Sequence, residues 1–233
     1  MIKSLQINER LEKYISDHSY DLHPIQKEIL SHNDSLGTSK KMQISVTQAY
    51  FFQLFIKTNN IKNILEIGTF TGYSALSMGL SIPRDGSIIC LDKNQKTSDD
   101  ARIFFKKANL EKKIEIIIGP AINTLGNFVN KKKIFDMIFI DADKENYKNY
   151  YDLSFNLIRN SGFILIDNVL WKGEVANPSI NDKLTNIIRE FNNYVWHEKG
   201  QKPIDKYNHF IDAIRYSLQY LVQGVNSGKY VIR

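Results

Sequence analysis

The chain has 233 residues, 42% hydrophobic and 24% charged, a balance that suits one sizeable α/β core and excludes a mostly disordered polypeptide. Its net charge of +6 comes largely from short basic runs such as Lys112-Lys113 and Lys131-Lys132-Lys133, which fall in expected connections and read as solvated loop charge rather than a nucleic-acid surface. No stretch approaches the roughly 18 consecutive apolar residues of a membrane span, and residues 1–14 hold no apolar block of signal-peptide type, so no membrane partner and a cytoplasmic location are expected.

Residues 1–60 read as helices over 7–16, 24–31 and 46–58, in the last of which Phe51, Phe52, Phe55 and Ile56 are expected to form one apolar stripe. They are expected to be a helical layer of the same domain. From residue 61 the pattern changes to short apolar runs at 64–67, 87–91, 114–118, 135–140 and 163–166. Helical stretches separate them near 73–80, 98–107 and 146–158, with another after Pro178 to about residue 194. That alternation predicts an α/β fold, a doubly wound and mostly parallel sheet, with the core at 61–193 and a distinct C-terminal segment at 194–233. Cys90 is the only cysteine and sits inside an apolar run, so it reads as a buried small hydrophobe. His18, His23, His32, His197 and His209 show no zinc-ligand spacing.

In open α/β sheets ligands bind beyond the carboxyl ends of the strands, where loops and helix N-termini converge. Here each expected strand end carries polar or glycine-rich chemistry: Glu66 to Ser74 after the first, Asp92 after the second, Gly119-Pro120-Ala121 after the third, Asp141-Ala142-Asp143-Lys144 after the fourth, and Asp167-Asn168 after the fifth. The loop 68–72 spaces its glycines G-x-x-x-G, not the G-x-G-x-x-G of dinucleotide sites, which disfavours a hydride-transferring dehydrogenase. Asp92, about twenty positions further on, is placed to accept hydrogen bonds from ribose hydroxyls. No G-K-[ST] lysine follows the glycines to grip phosphates, so an adenosine carrier such as S-adenosylmethionine fits better than a nucleoside triphosphate.

In a doubly wound order the first and fourth strands are neighbours and the fifth lies beyond the fourth, so Asp141 and Asp167-Asn168 can converge. Two carboxylates and an amide oxygen make a hard, all-oxygen ligand set suited to Mg²⁺, with Ca²⁺ or Mn²⁺ as alternatives.

Four blocks resemble the cation-dependent O-methyltransferases of the caffeoyl-CoA and catechol type: Met42-Gln43-Ile44-Ser45, LEIGTFTGYSAL at 65–76, FIDADKENY at 139–147 and IDNVLWKGEVANP at 166–178. The resemblance covers about residues 42–178 and implies a Rossmann-like class I methyltransferase fold with extra N-terminal helices. It further implies that Glu66, Gly68, Thr69 and Ser74 hold the methionine part of S-adenosylmethionine, Asp92 the ribose, Ala121 the adenine surroundings and Asp143 the sulfonium side, with a backbone contact from Ile44. Asp141, Asp167 and Asn168 would carry the metal, Lys144 would be the general base, and Tyr147 and Trp171 would shape the substrate mouth. The expected partner is a small phenolic molecule, catechol-like or of caffeoyl type. The related enzymes are commonly dimers, so a homodimer is expected.

Three features depart from the family pattern. Val46-Thr47-Gln48-Ala49-Tyr50 stands where the family commonly has P-E-Q-G-Q, and Lys172 stands where plant enzymes carry a substrate-touching Asn. The family's closing pair of strands has no visible counterpart, which makes the C-terminus atypical. Residues 194–220 resemble instead the end of the nuclease domain of phage terminase large subunits, with Asp212 matching a metal-binding acid, although an amphipathic helix with Phe210, Ile211, Ile214 and Leu218 inward accounts for most of the segment. Two other functions therefore stand beside methyl transfer: cofactor binding without turnover, and action on nucleic acid through the tail.

Overall fold

The computed structural model of the protein describes residues 8–19 and 21–169. Packing groups the chain into two compact units, Met1–Thr124 and Leu125–Arg233. The first contains α1 (Glu9–Ser19), α2 (Pro24–Ser35), a 3-10 segment (Gly37–Met42), α3 (Val46–Thr58), β1 (Asn63–Ile67), α4 (Tyr73–Gly79), β2 (Ser87–Asp92), α5 (Gln95–Lys107) and β3 (Ile114–Ile118). Next comes α6 (Ala121–Asn130), and the second unit continues with β4 (Phe135–Ile140), a 3-10 turn (Lys144–Asn146), α7 (Tyr147–Phe155) and β5 (Ile158–Ile166). The strands are ordered β3-β2-β1-β4-β5 in one sheet, the doubly wound topology expected.

Local chemistry explains the helix starts. Pro24 occupies the first turn of α2, where a missing N–H costs nothing, while the His23 ring accepts from the Ile25 N–H and the Gln26 side chain caps the His23 N–H. Ser45 caps α3 by accepting from the Gln48 N–H at 3.1 Å, and the Gln48 side chain returns a bond to the Ser45 N–H at 3.0 Å.

The strands form where short β-branched runs leave no polar face. Residues 88–91 of β2 and 64–67 of β1 are all buried, and pair in register from Asn63↔Ser87 to Ile67↔Leu91. β2 pairs with β3 from Ile88↔Ile114 to Asp92↔Ile118. Each aliphatic side chain fully removed from water here contributes roughly 1.5–3 kcal/mol. Cys90 is buried beside them at 0% exposure. α4 is buried along its whole length and is covered by α2, α3 and α5.

The structure differs from the sequence expectations at several elements; α1 and α2 run on to Ser19 and Ser35, and α5 begins earlier, at Gln95. On α3 the inward face is Ala49, Phe52 and Ile56, whereas Phe51 is 41% exposed, because consecutive residues point about 100° apart on a helix. α6 was not expected at all. α7 stops at Phe155, and β5 starts at Ile158, five residues before the predicted run, with an irregular register opposite Phe135 and Met137. Its early part is polar; Ser161 takes a positive φ of 59°, and Arg159 pairs with Asp136 at 2.6 Å. No helix among the described residues is long and apolar enough to cross a membrane.

Candidate active site

In the first unit, the chain leaving β1 turns through Gly68 (φ 91°), Phe70 (φ 52°) and Gly72 (φ 82°) before entering α4. Gly72 is required for two reasons. Its φ is left-handed, and a Cβ there would sit 2.7 Å from the Phe105 ring and 2.9 Å from the Ala101 Cβ on α5. The loop is then fixed from β2. The Gly68 N–H donates to the Leu91 carbonyl at 2.8 Å. The N–H groups of Thr69 and Phe70 both donate to Asp92 Oδ2, at 2.9 and 2.8 Å, while Asp92 Oδ1 accepts from the Asn94 N–H at 2.8 Å. Asp92, expected as a ribose acceptor, thus also braces the glycine loop. A carboxylate has about four lone-pair sites, so capacity for ribose remains beside these bonds.

The neighbouring candidates lie close along the chain to these strand ends. Glu66 in β1 is fully buried, and the Cys90 thiol opposite it in register has its pKa pushed well up, first by burial and then by the Glu66 charge. Thr69 and Ser74 are buried, and Ile44 is 5% exposed just before the α3 cap. The Gly119 N–H donates to the Asp92 carbonyl at 2.9 Å; its φ is 142°, and a Cβ there would meet open space. Ala121 opens α6 and is partly exposed. A bent loop with buried polar side chains, an anchored acid with one acceptor site to spare, and open space past β3 fit an adenosyl cofactor.

The second unit holds the acidic cluster. β4 and β5 pair as parallel neighbours up to Ile140↔Ile166, so Asp141 and Asp167 are each the next residue, and the Asp167 N–H donates to the Ile140 carbonyl at 3.0 Å. Neighbouring strands run about 4.8 Å apart, which brings the two carboxyls side by side. Burial, and then the Asp167 charge, push the Asp141 carboxyl up to about 6. Asn168 follows with a left-handed φ of 62°, and its N–H donates to Asp167 Oδ1 at 2.7 Å. No group of three or more His, Cys, Asp or Glu converges among the described residues. The candidate ligand set is two carboxyls and the Asn168 amide, and two mutually repelling acids with a hard amide oxygen fit a divalent cation.

Lys144 Nζ lies 3.5 Å from Asp141 Oδ1 and donates to the Tyr147 hydroxyl. Burial lowers the Lys144 pKa despite the opposing pull of Asp141 and Asp167. Tyr147 is 0% exposed, not at an open mouth; its hydroxyl donates to the Asp167 carbonyl at 3.2 Å, and burial holds its pKa far above the usual phenol value. Asp143 accepts from the Tyr150 hydroxyl at 2.7 Å and from the Asn146 amide. Burial, then Asp143, raise the Tyr150 pKa, so its proton stays in that bond. Sequence reasoning missed Tyr150 and Asn146; their spacing of seven and three residues from Asp143 was the available signal. Trp171, Lys172, the helix expected after Pro178 and the segment 194–220 lie outside the described residues.

A parallel sheet of this order, with a glycine loop after β1 and an acid ending β2, is a doubly wound, Rossmann-like fold, and its likeness to a solved O-methyltransferase makes it the class I methyltransferase fold. The O-methyltransferase family model matches residues 16–201, so the chain belongs to the O-methyltransferase family and is an S-adenosylmethionine-dependent O-methyltransferase. It is 37% identical over 179 residues to a probable caffeoyl-CoA O-methyltransferase 2 of Dictyostelium discoideum, covering 76% of this chain and 78% of that one. It is 35% identical over 199 residues to caffeoyl-CoA O-methyltransferase 2 of Populus trichocarpa, covering 83% and 79%. Among solved structures, a Bacillus cereus O-methyltransferase in complex with SAH is similar at a TM-score of 0.72 and 34% identity, over 78% of this chain and 83% of that one.

Proposed function

We propose that the chain methylates a phenolic oxygen of a small catechol-like or caffeoyl-type acceptor, with a divalent cation, Mg²⁺ before Ca²⁺ or Mn²⁺, held by Asp141, Asp167 and Asn168. The carrying observation is the register of β4 and β5, which sets Asp141 beside Asp167 with Lys144 Nζ 3.5 Å from Asp141. The caffeoyl-CoA names of relatives at 37% and 35% identity support the acceptor class.

The division of labour follows from the residues. Glu66, Gly68, Thr69 and Ser74 are assigned to the methionine part of the cofactor, Asp92 to the ribose, Ala121 to the adenine, Asp143 to the sulfonium side and Ile44 to a backbone contact. The cofactor supplies an already activated methyl group. A divalent cation, when bound, supplies a Lewis acid that favours the ionised form of a phenol whose pKa is near 10. Lys144, whose pKa burial lowers, takes up the phenolic proton at Nζ from its neutral amine form and becomes the ammonium, and Tyr147 holds that amine in place from the side of Asp167. Asp92 keeps the glycine loop in its bound shape before the cofactor arrives, so less ordering remains at binding. The chain's main contribution is orientation and exclusion of water. Trp171 and Lys172 are assigned to acceptor choice.

The deciding experiment is methyl transfer from labelled cofactor to a panel of catechols and caffeoyl thioesters, read by mass spectrometry, with Mg²⁺ and then with excess chelator. Methylated phenol that disappears on chelation is the expected result. Turnover indifferent to chelation would remove the cation, and cofactor binding with no product across the panel would leave a binding protein.

A further inference from the structure

Asn33, near the end of α2, is 1% exposed, and its amide is used at both ends. Its Oδ1 accepts from the Thr71 hydroxyl at 2.8 Å, and its Nδ2 donates to Gln43 Oε1 at 2.5 Å. Thr71 is itself 0% exposed and lies inside the loop between Gly68 and Gly72. Gln43 immediately precedes Ile44, and its own N–H is held by the Lys40 carbonyl at 3.1 Å. One buried amide therefore ties the glycine loop to the segment that leads into α3.

The tie is stiff for a physical reason. A buried amide left without a partner loses its solvation with nothing in return, so a shift of either Thr71 or Gln43 leaves an orphaned polar group. Asp92 braces the same loop through Thr69 and Phe70, two and one residues earlier. Between them Asp92 and Asn33 fix three consecutive loop residues. We propose that Asn33 is a positioning residue for the cofactor: by joining Thr71 to Gln43 it sets the spacing between the glycine loop and Ile44. This rests on the reading of the loop and Ile44 as cofactor contacts.

A second buried bond from the same helix supplies the control. Gln26 Nε2 donates to Ser77 Oγ at 2.9 Å, joining α2 to α4 without touching the loop. Four variants, Asn33→Leu, Thr71→Val, Thr71→Ser and Gln26→Leu, are compared with the unaltered chain. Calorimetry gives the Kd for S-adenosylmethionine, kinetics gives its KM and the kcat, and melting gives the stability. Asn33→Leu and Thr71→Val are expected to raise Kd and KM for the cofactor about tenfold, the size of one lost buried hydrogen bond, with kcat at saturating cofactor retained. Thr71→Ser, which keeps the hydroxyl, should restore affinity. Gln26→Leu should lower the melting temperature and leave Kd alone. Unchanged Kd in Thr71→Val, or an equal loss in Gln26→Leu, overturns the positioning role while the cofactor reading stands. Failure of the unaltered chain to bind S-adenosylmethionine overturns the cofactor reading and this role with it.

Discussion

Asp141 and Asp167 each stand one residue beyond the last paired residues of adjacent parallel strands, and the Asp167 charge is the second cause, after burial, of the rise of the Asp141 carboxyl to about 6. The folded chain thus keeps a proton at Asp141 that the unfolded chain, at the ordinary 3.8, has already lost. Because the folded pKa is the raised one, the stabilising contribution is full below about 4 and is lost as pH climbs through about 6. Asp141→Asn, in chelator, should therefore be more stable than the unaltered chain at about pH 7.5, by at most about 3 kcal/mol, and the gain should fade towards about pH 4. Urea melts at the two pH values measure it. No gain at the higher pH would mean that the pair is not strained. Mg²⁺ should stabilise the unaltered chain far more than the variant.

Asp92 is predicted to fail in two ways at once. Asp92→Ala removes the acceptor shared by the Thr69 and Phe70 N–H groups, so it should cost about 2 kcal/mol or more of stability as well as cofactor affinity. Asp92→Asn retains one acceptor oxygen and should recover stability better than affinity. Melting and calorimetry on both variants separate the two effects; a stable Asp92→Ala chain with weak cofactor binding would leave only the ribose contact.

Lys144→Ala should lower the rate by about 10²–10⁴-fold at neutral pH, the usual contribution of a general base, and recover as pH rises because hydroxide ionises the phenol without help. Metal affinity should hold, since the three oxygen donors remain. Tyr147→Phe removes the hydroxyl that receives the Lys144 bond and should give a smaller loss with the same pH recovery. Full activity of Lys144→Ala at neutral pH would reduce Lys144 to a charge-balancing residue.

The sheet was legible in the sequence because its strands are short β-branched runs closed by polar or glycine residues; β3 and β4 match the predicted bounds, and β1 and β2 differ by one residue at an end. α3 was legible in its bounds, 46–58, but not in its inward face, where Ala49 takes the place expected for Phe51. α6 was missed although Ile122, Leu125, Phe128 and Val129 stand at helical spacing; Gly126 and four Asn or Thr residues lower its helix propensity, which hid that stripe. The early part of β5 hid behind Arg159, Asn160 and a left-handed Ser161, where no alternation survives. At the site, residue types could be read from strand ends, but not their mutual duties. The bond from Thr71 to Asn33 spans 38 residues, and the double use of Asp92 depends on where the loop's N–H groups point. Neither leaves a periodic trace.

The division of the chain at residue 124 has a consequence for how such an enzyme can diversify. The braces of the glycine loop, from Leu91, Asp92 and Asn33, all come from Met1–Thr124, whereas Asp141, Lys144, Tyr147 and Asp167 all belong to Leu125–Arg233. Selection for a new methyl acceptor can rework the later half while the hydrogen bonds that shape the loop stay untouched. On the proposed assignments, substitutions that alter acceptor preference are expected to accumulate after residue 124 with little penalty in cofactor affinity, and Asp143, assigned to the sulfonium side, is the exception that would report a trade-off between the two.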